Sequence, residues 1–144
     1  MLQNDLDMSF NYEPIPYGVI KEGQGPANED AQYYYILKNA VRADTNLRDT
    51  RVRIGMSDAQ FNCMYCWEDE IVPTITAKHE IYDPAEKTKL SGESIRNSQT
   101  FPQDYDFMSD LAGNVCYICG MSVPPLMIKR IVTRLIESGV FNCG

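Results

Sequence analysis

The clearest hydrophobic pattern lies near the end of the chain, where apolar residues recur at helical spacing from residue 125 to residue 137. Charged side chains occupy most of the positions between them, which predicts an amphipathic C-terminal helix. Ser122 is the expected N-cap, two prolines follow in the first turn, and Gly139 is expected to end the helix in a left-handed conformation. The apolar face consists of Ile128, Ile131, Val132, Leu135 and Ile136.

Weaker patterns indicate two further helices. The first begins after Asp30, the expected N-cap, and the second is short and covers residues 93–99. Residues 42–59 are polar and rich in turn-forming residues, so no regular element is predicted there. The apolar stripe of the first helix is Tyr34, Ile36, Leu37 and Val41.

Residues 60–83 carry the strongest strand signals of the chain, because β-branched and aromatic side chains are concentrated there. Within this stretch, residues 73–77 (Pro-Thr-Ile-Thr-Ala) alternate hydroxyl and apolar side chains with a period of two. Residues 67–70 supply a turn between two strands. After the second helix, residues 100–114 are expected to form a loop anchored by aromatic side chains.

Together these elements predict an α+β fold: a small mixed sheet or hairpins with a few helices, ending in the amphipathic C-terminal helix. Residues 1–32 contain three prolines and three glycines between Tyr12 and Asp30, and an extended N-terminal arm is expected. Residues 33–144 are expected to form a single domain.

The charge balance limits the possible functions. Thirteen Lys and Arg against twenty Asp and Glu give a formal net charge of −7, which argues against DNA binding by the chain alone. Locally, Arg48, Arg51 and Arg53 form a basic cluster that could contact phosphate. We expect a cytoplasmic protein without a membrane partner, because no signal peptide and no run of about 18 apolar residues are seen.

The five cysteines are odd in number, so a disulfide framework is not expected. Four of them form two Cys-x-x-Cys pairs, which raises zinc as a hypothesis. The pair Cys116 and Cys119 is followed by a glycine, as in zinc knuckles. The pair Cys63 and Cys66 lies among strand-forming residues, where its two side chains would point to opposite faces. Buried thiols without metal are the expected arrangement, with a four-cysteine zinc site as the alternative.

No nucleophile, phosphate-binding or metal motif of an enzyme is present. His79 is the single histidine, and no spacing pairs it with a cysteine. Asp104, Asp106 and Asp110 lack the glycine and glutamate of a calcium loop. No catalytic residue is therefore predicted, and the chain alone is not expected to be a complete enzyme.

Two stretches near the end of the sequence show a resemblance to a known family. QTFPQDYDF (99–107) and YICGMSVPPLMIKRI (117–131) resemble the C-terminal motifs of DNA cytosine-5 methyltransferases of phage and bacterial type. Those motifs are a Gln-x-Phe-Pro-x-x-Tyr-x-Phe stretch and a Gly-Asn-Ala/Ser-Val-Pro-Pro turn that opens the last helix. Upstream, residues 73–77 resemble the end of the target recognition region of that family.

The resemblance implies roles for two groups of residues. Gly120, Met121, Ser122 and Val123 match the turn that lies against S-adenosylmethionine in the family, with Met121 in place of the usual Asn. Losing that Asn removes a side-chain donor and acceptor. The second group would lie near the DNA at the flipped base and consists of Thr74, Ile75 and Thr76. The resemblance also implies that the last helix packs onto the cofactor domain.

The chain lacks the catalytic Pro-Cys-Gln loop, the Glu-Asn-Val acid and the Phe-x-Gly-x-Gly cofactor loop of the family. Three explanations follow: the subunit of a split enzyme, a catalytically dead relative, or the product of a disrupted gene. The first implies a large methyltransferase subunit as partner, with DNA and S-adenosylmethionine bound only in that complex. The exposed helix could instead pair with a second copy. Alternative functions are a zinc-binding interaction module and an acidic mimic of DNA that inhibits a DNA-modifying enzyme.

Overall fold

The structure is a computed structural model, and it describes residues 11–78, 80–108 and 111–139. The fold is α+β with a small mixed sheet and a C-terminal helix, which confirms the predicted class. In chain order the elements are α1 (Tyr17–Ile20), α2 (Gln32–Lys38), α3 (Leu47–Arg53), β1 (Met64–Tyr65), β2 (Ile81–Asp83), β3 (Thr88–Lys89), α4 (Gly92–Ser98), α5 (Ala112–Met121) and α6 (Pro125–Glu137).

The sheet has the order β1-β2-β3, with β2 parallel to β1 and antiparallel to β3. Its central strand is fully buried. The prediction that residues 73–77 belong to a strand is wrong, because this segment has irregular backbone between β1 and β2. Pro73 has no N–H to donate to a neighbouring strand. The predicted turn over residues 67–70 is present, but it leads into this irregular segment.

Two apolar clusters lie on either side of the sheet region. The first joins α1, α4 and α5 to β2, and the second joins α2 and α3 to β1 and β2. The buried residues of the first cluster are Tyr17, Cys66, Ile75, Ile81, Leu90, Ile95, Val115 and Cys119. Those of the second are Ile36, Leu37, Leu47, Tyr65 and Tyr82.

Tyr17 and Lys21 attach the N-terminal segment to the fold, whereas residues 11–15 are exposed. The Tyr17 side chain is fully buried in the first cluster, and its backbone N–H donates to the Glu70 carbonyl at 2.7 Å. Lys21 Nζ lies 2.9 Å from Asp83 Oδ2, and the Asp83 side chain has no exposed surface. Residues 17–21 therefore contribute a core side chain and an ion pair to the domain, although the sequence suggests only an extended arm.

The first predicted helix starts differently in the structure, and the next helix is one that the sequence does not predict. Asp30 does not cap α2. The N-cap is Ala31, whose side chain has no hydrogen-bond acceptor for the N–H groups of the first turn. Helix α3 forms where no element is predicted. Its N-cap Asn46 accepts the Asp49 N–H at 3.0 Å, and the Asp49 carboxylate accepts the Thr45 N–H at 2.8 Å. The Asn46 cap, together with the bond from Asp49 to the residue before it, explains a helix in a polar stretch.

Helix α4 confirms the short predicted helix, with Ser91 as a cap that accepts the Ser94 N–H at 3.0 Å. The loop that follows is anchored by aromatic side chains, as expected. Phe101, Tyr105 and Phe107 contact one another in pairs, with ring centroids 4.9 to 5.1 Å apart. Their tilted and edge-on arrangements are the favourable ones for aromatic rings.

Helix α6 and the left-handed Gly139, with a φ of 74°, confirm the predicted C-terminal element. Its start differs from the prediction. Pro124 is the N-cap and Pro125 the first helical residue, so Ser122 is not the cap. Helix α5 occupies residues 112–121, where a loop and a turn are expected. Gly120 and Met121 are consequently its last helical residues.

Residues 112–137 are long and apolar enough to span a membrane by length and composition, with a mean hydropathy of 1.4 in the most apolar window. The sequence pattern predicts no such segment. The structure interrupts it between α5 and α6 at residues 122–124, and α6 carries charged residues along one side. This arrangement fits a soluble protein.

Candidate functional site

Helix α5 and residues 73–77 meet at Thr76. A Cβ atom added to Gly120 would lie 2.5 Å from the Ala77 backbone nitrogen and 2.9 Å from the Thr76 Cα. One helical turn earlier, the Cys116 thiol donates to the Thr76 carbonyl oxygen at 3.8 Å. The structure thus brings together the segment matched to cofactor binding and the segment matched to DNA.

Glycine is required at residue 120 because the two backbones touch there. Real Cβ atoms do not approach a backbone atom within 3.0 Å, so any side chain at this position must displace residues 76–77. Cys116 and Gly120 are four residues apart and therefore face the same side of α5. The last two turns of α5 hold Thr76 at two points.

The three residues matched to DNA contact differ in exposure. The Ile75 side chain is 5% exposed and lies in the first cluster, whereas the Thr74 side chain is exposed and Thr76 is half-buried. The alternation predicted from the sequence is therefore present without a strand. Ile75 anchors the segment in the core, which leaves Thr74 as the side chain that faces solvent.

The residues matched to cofactor contact lie at the end of α5 and in the link to α6. Met121 and Val123 are 68% and 51% exposed. The Ser122 hydroxyl donates to the Ile118 carbonyl at 2.6 Å and so satisfies one of the last carbonyl groups of α5. This surface offers two apolar side chains and the remaining acceptor capacity of one hydroxyl.

The cap of α6 comes from another part of the chain. Thr100 Oγ1 accepts the Leu126 N–H at 3.1 Å and so replaces a cap from the N-cap Pro124, whose side chain has no hydrogen-bond acceptor. Thr100 has a φ of 58°, which is rare for a β-branched residue. The sequence does not predict this role, because nothing local to Thr100 indicates a contact with a helix 26 residues away.

The three arginines of the basic cluster make internal contacts. Arg48 forms two hydrogen bonds with the Asp58 carboxylate, and Arg53 pairs with Asp44 at 2.6 Å. Arg51 is buried and its guanidinium donates to the Ser57 hydroxyl at 2.6 Å. These contacts stabilise α3 and its surroundings, and a phosphate contact of the cluster stays a prediction.

The four described cysteines are divided between the two clusters. Cys66 and Cys119 are buried in the first cluster with Cys116 packed against it, while Cys63 packs against the second. Burial raises the pKa of the Cys66 thiol to about 12 and that of the Cys119 thiol to about 11. Both thiols are therefore protonated near neutral pH and are poor nucleophiles.

Possible metal ligands are dispersed in the part of the chain that the structure describes, where no group of three or more His, Cys, Asp or Glu side chains is placed to hold a metal ion. In the loop after α4, Asp106 accepts the Met108 N–H at 2.6 Å. Asp104 is exposed in the same loop. His79 and Asp110 lie outside the described residues.

Comparison with known proteins finds no protein similar to this chain. The chain matches no protein-family model, no curated protein and no solved structure. The motifs in residues 73–77, 99–107 and 117–131 are therefore the basis of the methyltransferase resemblance.

Proposed function

We propose that this chain is a non-catalytic target-recognition subunit of a DNA cytosine-5 methyltransferase, acting in the cytoplasm with a separate large subunit that carries the catalytic cysteine. One observation carries the proposal: the contact between Gly120 and Thr76. It joins the segment that the resemblance matches to cofactor binding to the segment that it matches to DNA reading.

This contact has a mechanical consequence. Because α5 holds Thr76 at both Cys116 and Gly120, the position of Thr74 is fixed relative to Met121 and Val123. A large subunit that packs against residues 121–123 would therefore also set where Thr74 meets DNA. Rigid support of this kind is what a binding site needs to hold its geometry.

The exposed face of α6 is the second element of the proposal. Ile128, Val132 and Ile136 are four residues apart and form one stripe, with exposed fractions of 44%, 44% and 61%. No residue of α6 is buried. An apolar stripe of this kind is usual where a subunit interface forms. The large subunit would cover it.

The chain's residues fit one wall of a pocket for S-adenosylmethionine. Met121 and Val123 supply apolar contact surface, and the Ser122 oxygen can accept a hydrogen bond. The large subunit must supply the polar groups that hold the charged parts of the cofactor. When bound in the complex, the cofactor would supply the methyl group, and this chain would position DNA and enclose the site.

The proposal is tested by mixing the purified chain with a methyltransferase large subunit from the same genome. Light scattering after size-exclusion chromatography would show a complex, and transfer of labelled methyl groups to DNA would depend on both proteins. Val132→Asp should abolish the complex, whereas Thr133→Asp, on the adjacent polar side of α6, should preserve it. Thr74→Ala should leave the complex intact and change methyl transfer.

Two results would overturn the proposal. One is the absence of a complex at concentrations near 10 μM, which would correspond to an affinity too weak for a stable subunit. The other is equal methyl transfer by the large subunit with and without this chain.

A further inference from the structure

A cavity separates the N-terminal segment from α4 and α6. It has a volume of 340 Å³, which lies in the range of small-molecule sites. Ile15, Ile20, Ile71 and Val72 provide apolar walls. The polar lining comes from residues 97–100 at the end of α4 and from Arg130 of α6.

Arg130 has no acidic partner in the described ranges and, unlike Arg51 and Arg96, which also lack one, it makes no hydrogen bond to another described residue. Arg42, Arg53 and Arg134 each lie within 4.0 Å of a carboxylate oxygen, as in the Arg134–Glu137 pair at 3.9 Å. The Arg130 guanidinium instead stacks on the Tyr12 ring, with Cζ 3.7 Å from the ring centroid. Stacking holds the plane of the group and leaves its N–H donors for an anion.

Two more donors line the same cavity. Thr100 Oγ1 accepts the Leu126 N–H and still has its own proton to donate. The Gln99 side-chain amide makes no hydrogen bond within the described residues and also lines the cavity. A planar carboxylate suits this set, because a guanidinium can donate two parallel hydrogen bonds to its two oxygens.

Glu13 lines the cavity too, and its carboxylate would repel an anion. The chain also has a net charge of −7. Both facts favour a ligand with a single negative charge over one with two, because repulsion grows with the ligand's charge.

We propose that this cavity binds a small monocarboxylate with a flat apolar body, with its carboxylate on Arg130 and its body against Ile15 and Ile71. This site is separate from the proposed subunit function. It does not involve Thr74, the exposed stripe of α6 or residues 120–123, so either proposal can fail without the other.

Benzoate is the test ligand, and benzamide is its neutral counterpart of the same shape. In titrations followed by two-dimensional NMR, benzoate should shift the amide resonances of Thr100 and Ile71 with a dissociation constant in the low millimolar range. Benzamide should bind at least about tenfold more weakly, because it has no negative charge and only one acceptor oxygen for the guanidinium.

Variants separate the role of Arg130 from a general charge effect. Arg130→Gln should weaken benzoate binding by about tenfold or more. Arg134→Gln, one turn later on the same helix and paired with Glu137, should leave binding unchanged. Glu13→Gln should strengthen binding. Equal binding of benzoate and benzamide, equal loss in both arginine variants, or no shift at saturating benzoate would each overturn the proposal.

Discussion

Lys21 places its ammonium group against Asp83, with Nζ 2.9 Å from Oδ2 of a carboxylate that has no exposed surface. The Lys21 side chain is 15% exposed and also contacts Glu68 and Glu86 at 2.8 and 2.9 Å. One lysine thus compensates a buried carboxylate and fixes the N-terminal segment to β2. Burial opposes its charge, but hydrogen bonds to these carboxylates outweigh that effect and raise the pKa of Lys21.

Lys21→Met should lower the free energy of unfolding by about 3 to 5 kcal/mol, because it leaves the Asp83 charge buried without a partner. Lys38→Met, at an exposed site on α2, should change it by less than about 0.5 kcal/mol. Urea unfolding followed by circular dichroism measures both. The double variant Lys21→Met/Asp83→Asn should recover part of the loss, and no recovery would contradict this account of the pair.

Asp44 should make stability depend on pH in the acid range. Its burial opposes ionisation, but hydrogen bonds from Arg53 and Thr50 outweigh burial and hold the pKa below its ordinary value of 3.8. As the pH falls, the unfolded state binds a proton at this group before the folded state does. The stabilisation by Asp44 is therefore present above the unfolded pKa and is lost as the pH falls through the folded pKa.

Asp44→Asn should destabilise the protein at about pH 6, and its difference from the wild type should narrow as the pH approaches about 3. Unfolding free energies from urea titrations at several pH values measure this difference. A difference that is constant over the same range would show that the Asp44 carboxylate does not titrate as its hydrogen bonds require.

Gly120→Ala should destabilise the protein by about 1 to 3 kcal/mol, since the new methyl group would overlap the backbone of residues 76–77. Gly113→Ala in the same helix is the matched control. A Cβ atom there meets nothing within 4 Å, so the variant should gain about 0.5 to 1 kcal/mol from helix propensity. If Gly120 contacts residues 76–77 as described, thermal unfolding should show a stability change of opposite sign in the two variants, a loss for Gly120→Ala and a gain for Gly113→Ala.

Thr100→Val should cost about 1 kcal/mol, because it keeps the side-chain shape but removes the acceptor for the Leu126 N–H. Thr100→Asn should equal or exceed the wild type in stability. Asparagine offers an acceptor and tolerates the left-handed backbone better than threonine does. Amide hydrogen exchange at Leu126 should accelerate in the valine variant alone; equal exchange in both variants would argue against the cap.

The elements that the sequence predicts well have local causes. The face of α6 follows from residue spacing, the start of α4 from Ser91, and the alternate burial of Thr74 and Ile75 from a period of two. Helix α3 has a local cause as well, the Asn46 cap, but the polar and turn-forming composition of residues 42–59 indicates a loop.

The contacts that define the candidate site are of another kind. Gly120 touches residues 76–77, Thr100 caps α6, and Lys21 meets Asp83, and each pair is distant in sequence. Such pairs depend on how finished elements pack together. Neither residue type nor periodicity indicates these contacts, so the pattern of residues 73–77 predicts a strand although their partner is a helix.

The burial of Tyr17 bears on how the chain is synthesised. Its neighbours in the first cluster include Ile81 of β2, Ile95 of α4 and Val115 of α5, all far downstream. During translation this tyrosine leaves the ribosome long before the residues that cover it exist. The growing chain therefore carries an uncovered aromatic side chain until α5 emerges, and the first cluster cannot be completed before that point.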